Sequence, residues 1–173
     1  LENLITYANA PIIVWNLERK ITIFNHAFEK LSGYRSDEVI NRDLEILFPP
    51  ADKEEILKTI DQAIKGERWE TVEIPIQRKD GERRIALWNS ASIIDKEGNI
   101  TATIAQGQDI TERKQAEQQI KTLMEGMPDG VLVINSKGNI IVANTHAGVM
   151  FGYKLEEILG KSIEMLLPER ARR

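Results

Sequence analysis

The N-terminal part of the chain alternates short apolar runs with polar turns. Residues 12–17 and 21–24 form two mostly apolar runs, the second rich in β-branched residues, and the charged segment 18–20 separates them. Two apolar runs joined by a short polar turn are typical of a β-hairpin. The pattern therefore predicts that the fold opens with two antiparallel strands.

The following segment has the spacing of helices. Asn25 can cap a helix over residues 26–32, and Gly33 can end it in the left-handed conformation. Ser36 is predicted as the N-cap of a further short helix. A longer helix is predicted over residues 52–64, because its apolar residues recur at helical spacing before a stop at Gly66.

Beyond residue 70 the apolar period changes to two, which predicts strands over residues 72–76, 84–94 and 100–108. Turn sequences at 79–82 and 95–99 join them, so the three strands form an antiparallel meander. Pro75 would remove a hydrogen bond from a central strand, so the first of the three is predicted to lie at a sheet edge or to contain a local bulge.

The chain also contains an internal repeat. A shift of 119 residues aligns residues 4–49 with residues 123–168 without a gap, and the Gly-Tyr pair at 33–34 falls on an identical pair at 152–153. A period of this length is that of a domain and not of a solenoid unit. The second copy begins near Met127 and is expected to be partial, within a piece of a longer protein.

Composition narrows the classes of function. The net charge of −4 argues against a nucleic-acid partner, which would require a basic surface. The basic cluster Arg170, Arg172 and Arg173 is interpreted as a solvated helix end. No apolar run is long enough to span a membrane, and the absence of cysteine fits a reducing compartment, so a cytoplasmic location is expected.

Five short motifs follow one another along the chain: Asn25 with Ala27, Gly33-Tyr34, Glu38-Val39, Arg78-Lys79-Asp80-Gly81 and Asp109-Ile110-Thr111-Glu112-Arg113-Lys114. In this order and spacing they resemble the PAS domain family over essentially the whole chain. The resemblance implies an α+β fold with a five-stranded antiparallel sheet of order 2-1-5-4-3 and helices on one face, followed by a linker helix and a partial second PAS unit. It also implies a sensory role that relays a ligand, redox or light signal to an output such as a histidine kinase or a cyclic-dinucleotide enzyme.

This resemblance divides the chain into four segments. Residues 1–8 would be the end of a preceding linker helix, and residues 9–111 the first PAS domain. Residues 112–126 would form an amphipathic signalling helix, and residues 127–173 the N-terminal half of a second PAS domain.

The segment after the last strand is the predicted signal relay. Asp109 or Thr111 can cap a helix in which Ala116, Ile120, Leu123 and Met127 recur at spacings of four, three and four. Such a seam suits either a helix packed on its own domain or a parallel coiled coil. Leu4, Ile5 and Ala8 hold the matching register before the first domain, which favours a homodimer through the linker helix and the sheet face. The resemblance implies that a change in the sheet passes into this helix at its Asp-Ile-Thr end. The relay residues are on that basis predicted to be Asp109, Thr111, Ala116, Ile120 and Leu123.

Large aromatic side chains indicate where a ligand pocket would lie. The candidate pocket residues are Trp15, Phe28, Phe48, Trp69 and Asn89. Aromatic residues at such spacings are more often simple core, so this alternative stays open. Leu87 and Trp88 have opposite strand parity, and one of them must face away from the helices.

The resemblance also bears on cofactors. Photochemical flavin-binding relatives need a cysteine, and this chain has none. Redox relatives that bind flavin adenine dinucleotide resemble the chain around Trp69, but their asparagine on the next strand is replaced by Pro75-Ile76, which disfavours this cofactor. Haem-binding relatives use a histidine on the longer helix, and residues 52–66 contain none, which disfavours haem in the first domain.

The favoured function is a sensory module that senses a small ligand or redox cue and relays it through a helical linker to an output domain. The alternative is a ligand-free dimerisation and relay module with a packed core, and the third class is an enzyme. The sequence contains no nucleophile paired with a base, no paired catalytic carboxylates and no phosphate-binding loop, so no catalytic residue is assigned. His26 and His146 are not equivalent in the repeat, and no metal site is assigned to them.

The second copy raises a question of stability, because an isolated two-stranded hairpin is marginal in water. Its apolar strands over residues 131–134 and 140–143 are therefore expected to be buried against another chain or the first domain.

Overall fold

A computed structural model describes residues 5–168 of the chain. The chain divides into two compact units, Leu1–Glu112 and Arg113–Arg173, here called the first unit and the second unit. The seam position Leu4 and the C-terminal arginines at 170, 172 and 173 lie outside the described residues.

The first unit is built on one antiparallel sheet of five strands in the order β2-β1-β5-β4-β3. This confirms the predicted strand order and places β3, with Pro75, at an edge of the sheet. The strands are β1 (Ile12–Asn16), β2 (Ile21–Phe24), β3 (Val72–Gln77), β4 (Arg83–Ile94) and β5 (Ile100–Asp109).

Between β2 and β3 lie the helices α1 (His26–Ser32), α2 (Ser36–Val39) and α3 (Lys53–Ile64) and a 3₁₀ helix (Leu44–Leu47). The side chain of Asn25 caps α1, and Gly33 ends it with a φ of 74°. Ser36 is not an N-cap as predicted. It is the first residue of α2, and its amide donates to the Glu29 carboxylate at 2.7 Å.

The β3–β4 hairpin is tied to the end of α1. The Arg78 guanidinium donates from Nη1 to the carbonyl oxygens of Lys30 at 2.8 Å and Leu31 at 2.6 Å. A cation at the C-terminal end of a helix satisfies carbonyl groups that have no partner within the helix. Lys79 in the same hairpin pairs with Glu38 of α2.

The core of the first unit lies between the sheet and the helices. Trp88 faces this core and is buried, whereas its neighbour Leu87 faces away from it. The Trp88 ring lies against the backbone of Gly107, where an added Cβ would be 2.7 Å from the ring. The largest side chains that are fully buried in this core are Trp15, Phe28, Ile21, Leu47, Ile60 and Ile76.

The second unit has the same beginning as the first but fewer strands among residues 113–168. A two-stranded sheet, β6 (Leu132–Ile134) and β7 (Ile140–Ala143), precedes α5 (Thr145–Phe151), α6 (Leu155–Ile158) and a 3₁₀ helix (Ile163–Leu166). Val133 and Ile134 are 40% and 48% exposed, so their burial against another chain or the first domain stays a prediction.

The linker helix α4 runs from Thr111 to Glu125. It begins one residue earlier than the sequence predicted. None of the helices formed by residues 5–168 has the length and apolar character needed to cross a membrane.

Candidate functional site

The junction between β5 and α4 is held by the hydroxyl of Thr111. Its Oγ1 donates to the Asp109 carboxylate at 2.6 Å and accepts a hydrogen bond from the Ile85 amide in β4 at 2.9 Å. Asp109 Oδ1 also accepts from the Thr111 amide at 2.9 Å, as a helix-capping carboxylate does. The first residue of α4 is thereby fixed to β4 as well as to its own strand.

Charged side chains lie on one side of this junction. Arg84 of β4 lies 3.6 Å from the Asp109 carboxylate and 3.0 Å from that of Glu82. Thr111 and the neighbouring Ile110 are both buried, at 4% and 2% exposure. A movement of β4 relative to β5 would therefore have to break or shift these bonds, because the buried hydroxyl has no water to replace its partners.

A second connection joins the chain that enters the first unit to its core. Asn25 is 1% exposed, and its Nδ2 donates to the carbonyl oxygens of Ile5, Ala8 and Ala10 at 2.9–3.3 Å. Its Oδ1 accepts from the amides of Ile12 and Phe28. One side chain therefore caps α1 and also holds the incoming segment.

The second unit repeats this connection. Asn144, which is fully buried, donates from Nδ2 to the carbonyl of Met124 in α4 at 2.8 Å and to that of Asp129 at 2.9 Å. Its Oδ1 accepts from the amides of Val131 and Ala147. Sequence reasoning identified the cap at position 25 but missed the link to the incoming helix. The signal was present in the repeat, which carries an asparagine at both positions in the same register.

The predicted pocket residues Trp15, Phe28, Phe48 and Trp69 come together around a small cavity in the first unit. Its volume is about 20 Å³, which is room for roughly one water molecule. Trp88 also lines it. Asn89 does not, since its side chain is exposed on the opposite face of β4 and accepts a hydrogen bond from the Thr71 amide.

The three tryptophans around this cavity share an unusual feature. Trp15, Trp69 and Trp88 are at most 5% exposed, and within residues 5–168 none of their indole N–H groups meets a hydrogen-bond acceptor. Trp15 and Trp69 lie 5.8 Å apart between ring centroids, and Phe28 and Trp88 lie 5.4 Å apart. Burying a donor without a partner costs free energy, so these three groups are available to an acceptor that enters the core.

The predicted relay residues on α4 are exposed. Ile120 and Leu123 are 59% and 67% exposed, and Met127 just beyond the helix is 44% exposed. Ala116 is exposed on the same helix. An apolar seam open to solvent is what a helix would present to a partner helix.

His26 lies beside a carboxylate of its own helix. Among residues 5–168, no three histidine, aspartate or glutamate side chains are grouped so that they could hold a metal ion. His26 instead forms a hydrogen bond with Glu29 at 2.9 Å, and this bond holds the pKa of the Glu29 carboxyl below its usual range, with the Ser36 amide contributing in the same direction.

Comparison with known proteins agrees with this architecture. The family model of the PAS fold matches residues 1–110 and again residues 118–173. Among solved structures, the PAS domain of a protein from Colwellia psychrerythraea is 26% identical with a TM-score of 0.59, and the match covers 64% of this chain and 94% of that one. An RNA-binding light-oxygen-voltage receptor is also 26% identical, with a TM-score of 0.58, over 70% of this chain and 35% of the receptor.

Curated relatives are sensor proteins. The oxygen sensor protein DosP of Escherichia coli is 25% identical over 90% of the chain, and the autoinducer 2 sensor kinase/phosphatase LuxQ of Vibrio harveyi is 34% identical over 68% of it. The sensor protein TdiS of Thauera aromatica is 30% identical over 70% of the chain. The matched region spans only 12–22% of the length of these three proteins.

Proposed function

The chain belongs to the PAS family, and on that premise we propose that it is a regulatory relay module. A conformational change in the first unit passes through the Asp109–Thr111 junction into α4, and from there to the second unit. The observation that carries this proposal is the Thr111 hydroxyl, which joins the first residue of α4 to both β4 and β5.

The proposed division of labour follows the repeat. Residues 9–111 are the first PAS domain, residues 112–126 the signalling helix and residues 127–173 the N-terminal half of a second PAS domain. The chain acts as a homodimer in the cytoplasm, with Ile120 and Leu123 in a seam between two copies of α4. Its output is a domain elsewhere in the same polypeptide, a histidine kinase or a cyclic-dinucleotide enzyme, and this region itself carries no catalysis. The sensor proteins among its relatives support the signalling role of the chain.

The packed core favours relay over direct sensing in the first unit. A cavity of about 20 Å³ has no room for a flavin or a haem unless the surrounding side chains move. In the relay function, the stimulus reaches the first unit from a neighbouring segment, and the first unit transmits it through its sheet.

Direct sensing is the second candidate, because three buried indole donors without acceptors would suit a ligand that carries acceptor groups. Absorption and mass spectra of the purified chain, before and after denaturation, separate the two candidates. A small molecule released in stoichiometric amount would favour the direct sensor. Protein that is colourless and free of any bound molecule would favour the relay.

Thr111→Val tests the relay junction, because valine keeps the shape of threonine but lacks the hydroxyl. We expect faster hydrogen exchange at the Ile85 amide and in the first turn of α4, with a loss of about 1–2 kcal/mol in the free energy of unfolding. Thr101→Val is the matched control, since the Thr101 hydroxyl bonds a neighbouring strand as well, by donating to the Ile93 carbonyl at 3.1 Å, but lies away from α4. Exchange in α4 that is unchanged by Thr111→Val would contradict the proposal.

A further inference from the structure

Both units contain a groove at the same place in the repeat. In the first unit the groove lies beside the edge strand β2 and is lined by Ile5, Thr22, Ser36 and Ile40. In the second unit a shift of 119 residues gives the corresponding groove beside β7, lined by Met124, Ile141, Leu155 and Leu159. The internal repeat therefore provides a direct comparison of one surface with two sets of side chains.

The two grooves differ in polarity. Where the first unit has Thr22 and Ser36, the second has Ile141 and Leu155. In the first unit Ser36 is tied by its amide to Glu29, whereas Gly148 takes the place of that carboxylate in the second unit. A Cβ built on Gly148 would lie 3.5 Å from the Leu155 side chain. An apolar groove wall thus replaces a polar one.

The exposure of this apolar groove is not explained by the smaller number of strands in the second unit. Thr22 is exposed in the first unit although all five strands of that sheet are in place, because the groove lies on the β2 side and not on the β5 side. Its counterpart Ile141 is 52% exposed, and Leu159 is 41% exposed. Large apolar side chains at positions that the fold itself leaves open indicate a contact surface.

The helix α4 forms one wall of the groove beside β7, and its side chains indicate which partner the groove can bind. Ile120 of α4 lines the groove and also belongs to the exposed seam with Leu123 and Met127, so groove and seam form one continuous apolar surface. The rim contributed by α4 carries Glu117, Lys121 and Glu125, which gives charges of both signs. A second copy of the same helix brings an apolar stripe and a charge pattern that can pair with this rim.

We propose that the groove between α4 and β7 is a docking site for α4 of a second copy of this chain. The resulting contact is isologous, since each copy supplies both the helix and the groove. The inference rests on the homodimer of the proposed function and adds a specific surface to it: the partner helix contacts β7 and α6 as well as its equivalent helix.

The repeat supplies the test variant, because the first unit shows which polar residues the fold accepts at these positions. We expect Ile141→Thr with Leu155→Ser to weaken the dimer of the 173-residue chain about tenfold or more in sedimentation equilibrium, since two apolar side chains leave the interface. Val149→Thr is the matched control. Val149 is 78% exposed in the same unit but does not line the groove, and its substitution should leave the dissociation constant unchanged.

Leu123→Asp separates this inference from the proposed helix seam, because Leu123 belongs to the seam but does not line the groove. Loss of the dimer in both Leu123→Asp and the groove variant would support the inference. Loss in Leu123→Asp alone, with the circular dichroism of the groove variant unchanged, would overturn the groove and leave the helix-mediated dimer intact. A wild-type chain that stays monomeric up to about 100 μM would overturn both, since an interface of ordinary size binds more tightly than this.

Discussion

The two units share a buried asparagine near their N-terminal ends, but the first strand of each unit differs in how far it is buried. Asn25 and Asn144 are both buried, and each bonds the incoming segment, the first strand and the first helix of its unit through the same side-chain atoms. Yet Val14 is 3% exposed, whereas its counterpart Val133 is 40% exposed. Trp15 and its counterpart Ile134 differ in the same way, at 2% and 48%.

This difference separates local from non-local causes. The hairpin turn, the asparagine link and the glycine helix end are set by residues close together in sequence, so they form in both units. Burial of the first strand depends instead on distant parts of the chain. β5 pairs with β1 from about 90 residues further along, and Trp69 packs against Trp15. A strand of this kind gains most of its stability from neighbours that cover its apolar face.

Replacing Asn25 with alanine has the largest expected effect. Its amide group makes five hydrogen bonds at a buried site, so Asn25→Ala should lower the free energy of unfolding of the first unit by about 3 kcal/mol. All three tryptophans of the chain lie in this unit, so urea unfolding followed by tryptophan fluorescence reports on it alone.

The control is Asn16→Ala, which removes an acceptor for only the Glu18 and Lys20 amides in the hairpin turn. Its expected cost is about 1 kcal/mol, because these groups can bond water instead. If the two variants cost the same, then Asn25 acts as an ordinary cap, and the parallel drawn between the units would lose its basis.

Much of the first unit could be predicted from the sequence. The positions of the strands and helices follow from apolar periodicity and from turn residues such as Gly33, and the strand order came with the family resemblance. The site was harder to predict. Asn89 was assigned to the pocket, but strand alternation allows only one of two neighbours to face the core, and Trp88 takes that place.

Other features depend on contacts that no local pattern contains. Arg78 caps the end of a helix by donating to the Leu31 carbonyl, 47 residues earlier in the chain. The groove beside β7 is formed by three elements distant in sequence. The sequence shows that positions 141 and 155 are apolar, but only the fold shows that they line an exposed groove.

The most direct test of this account is amide hydrogen exchange of the wild-type chain, measured at residue resolution. In β1 the Ile13 and Trp15 amides lie on the side of β5 by strand alternation, whereas their counterparts Leu132 and Ile134 in β6 have no such strand among residues 113–168.

The account predicts that Leu132 and Ile134 exchange about 100-fold faster than Ile13 and Trp15. It also predicts that the Val131 and Ala147 amides, held by Asn144, are protected well above the level of Leu132 and Ile134. Protection of Leu132 and Ile134 equal to that of Ile13 and Trp15 would contradict the account. The account holds that both units share the buried asparagine and its hydrogen bonds, but that, among residues 5–168, only in the first unit is the first strand paired on both sides.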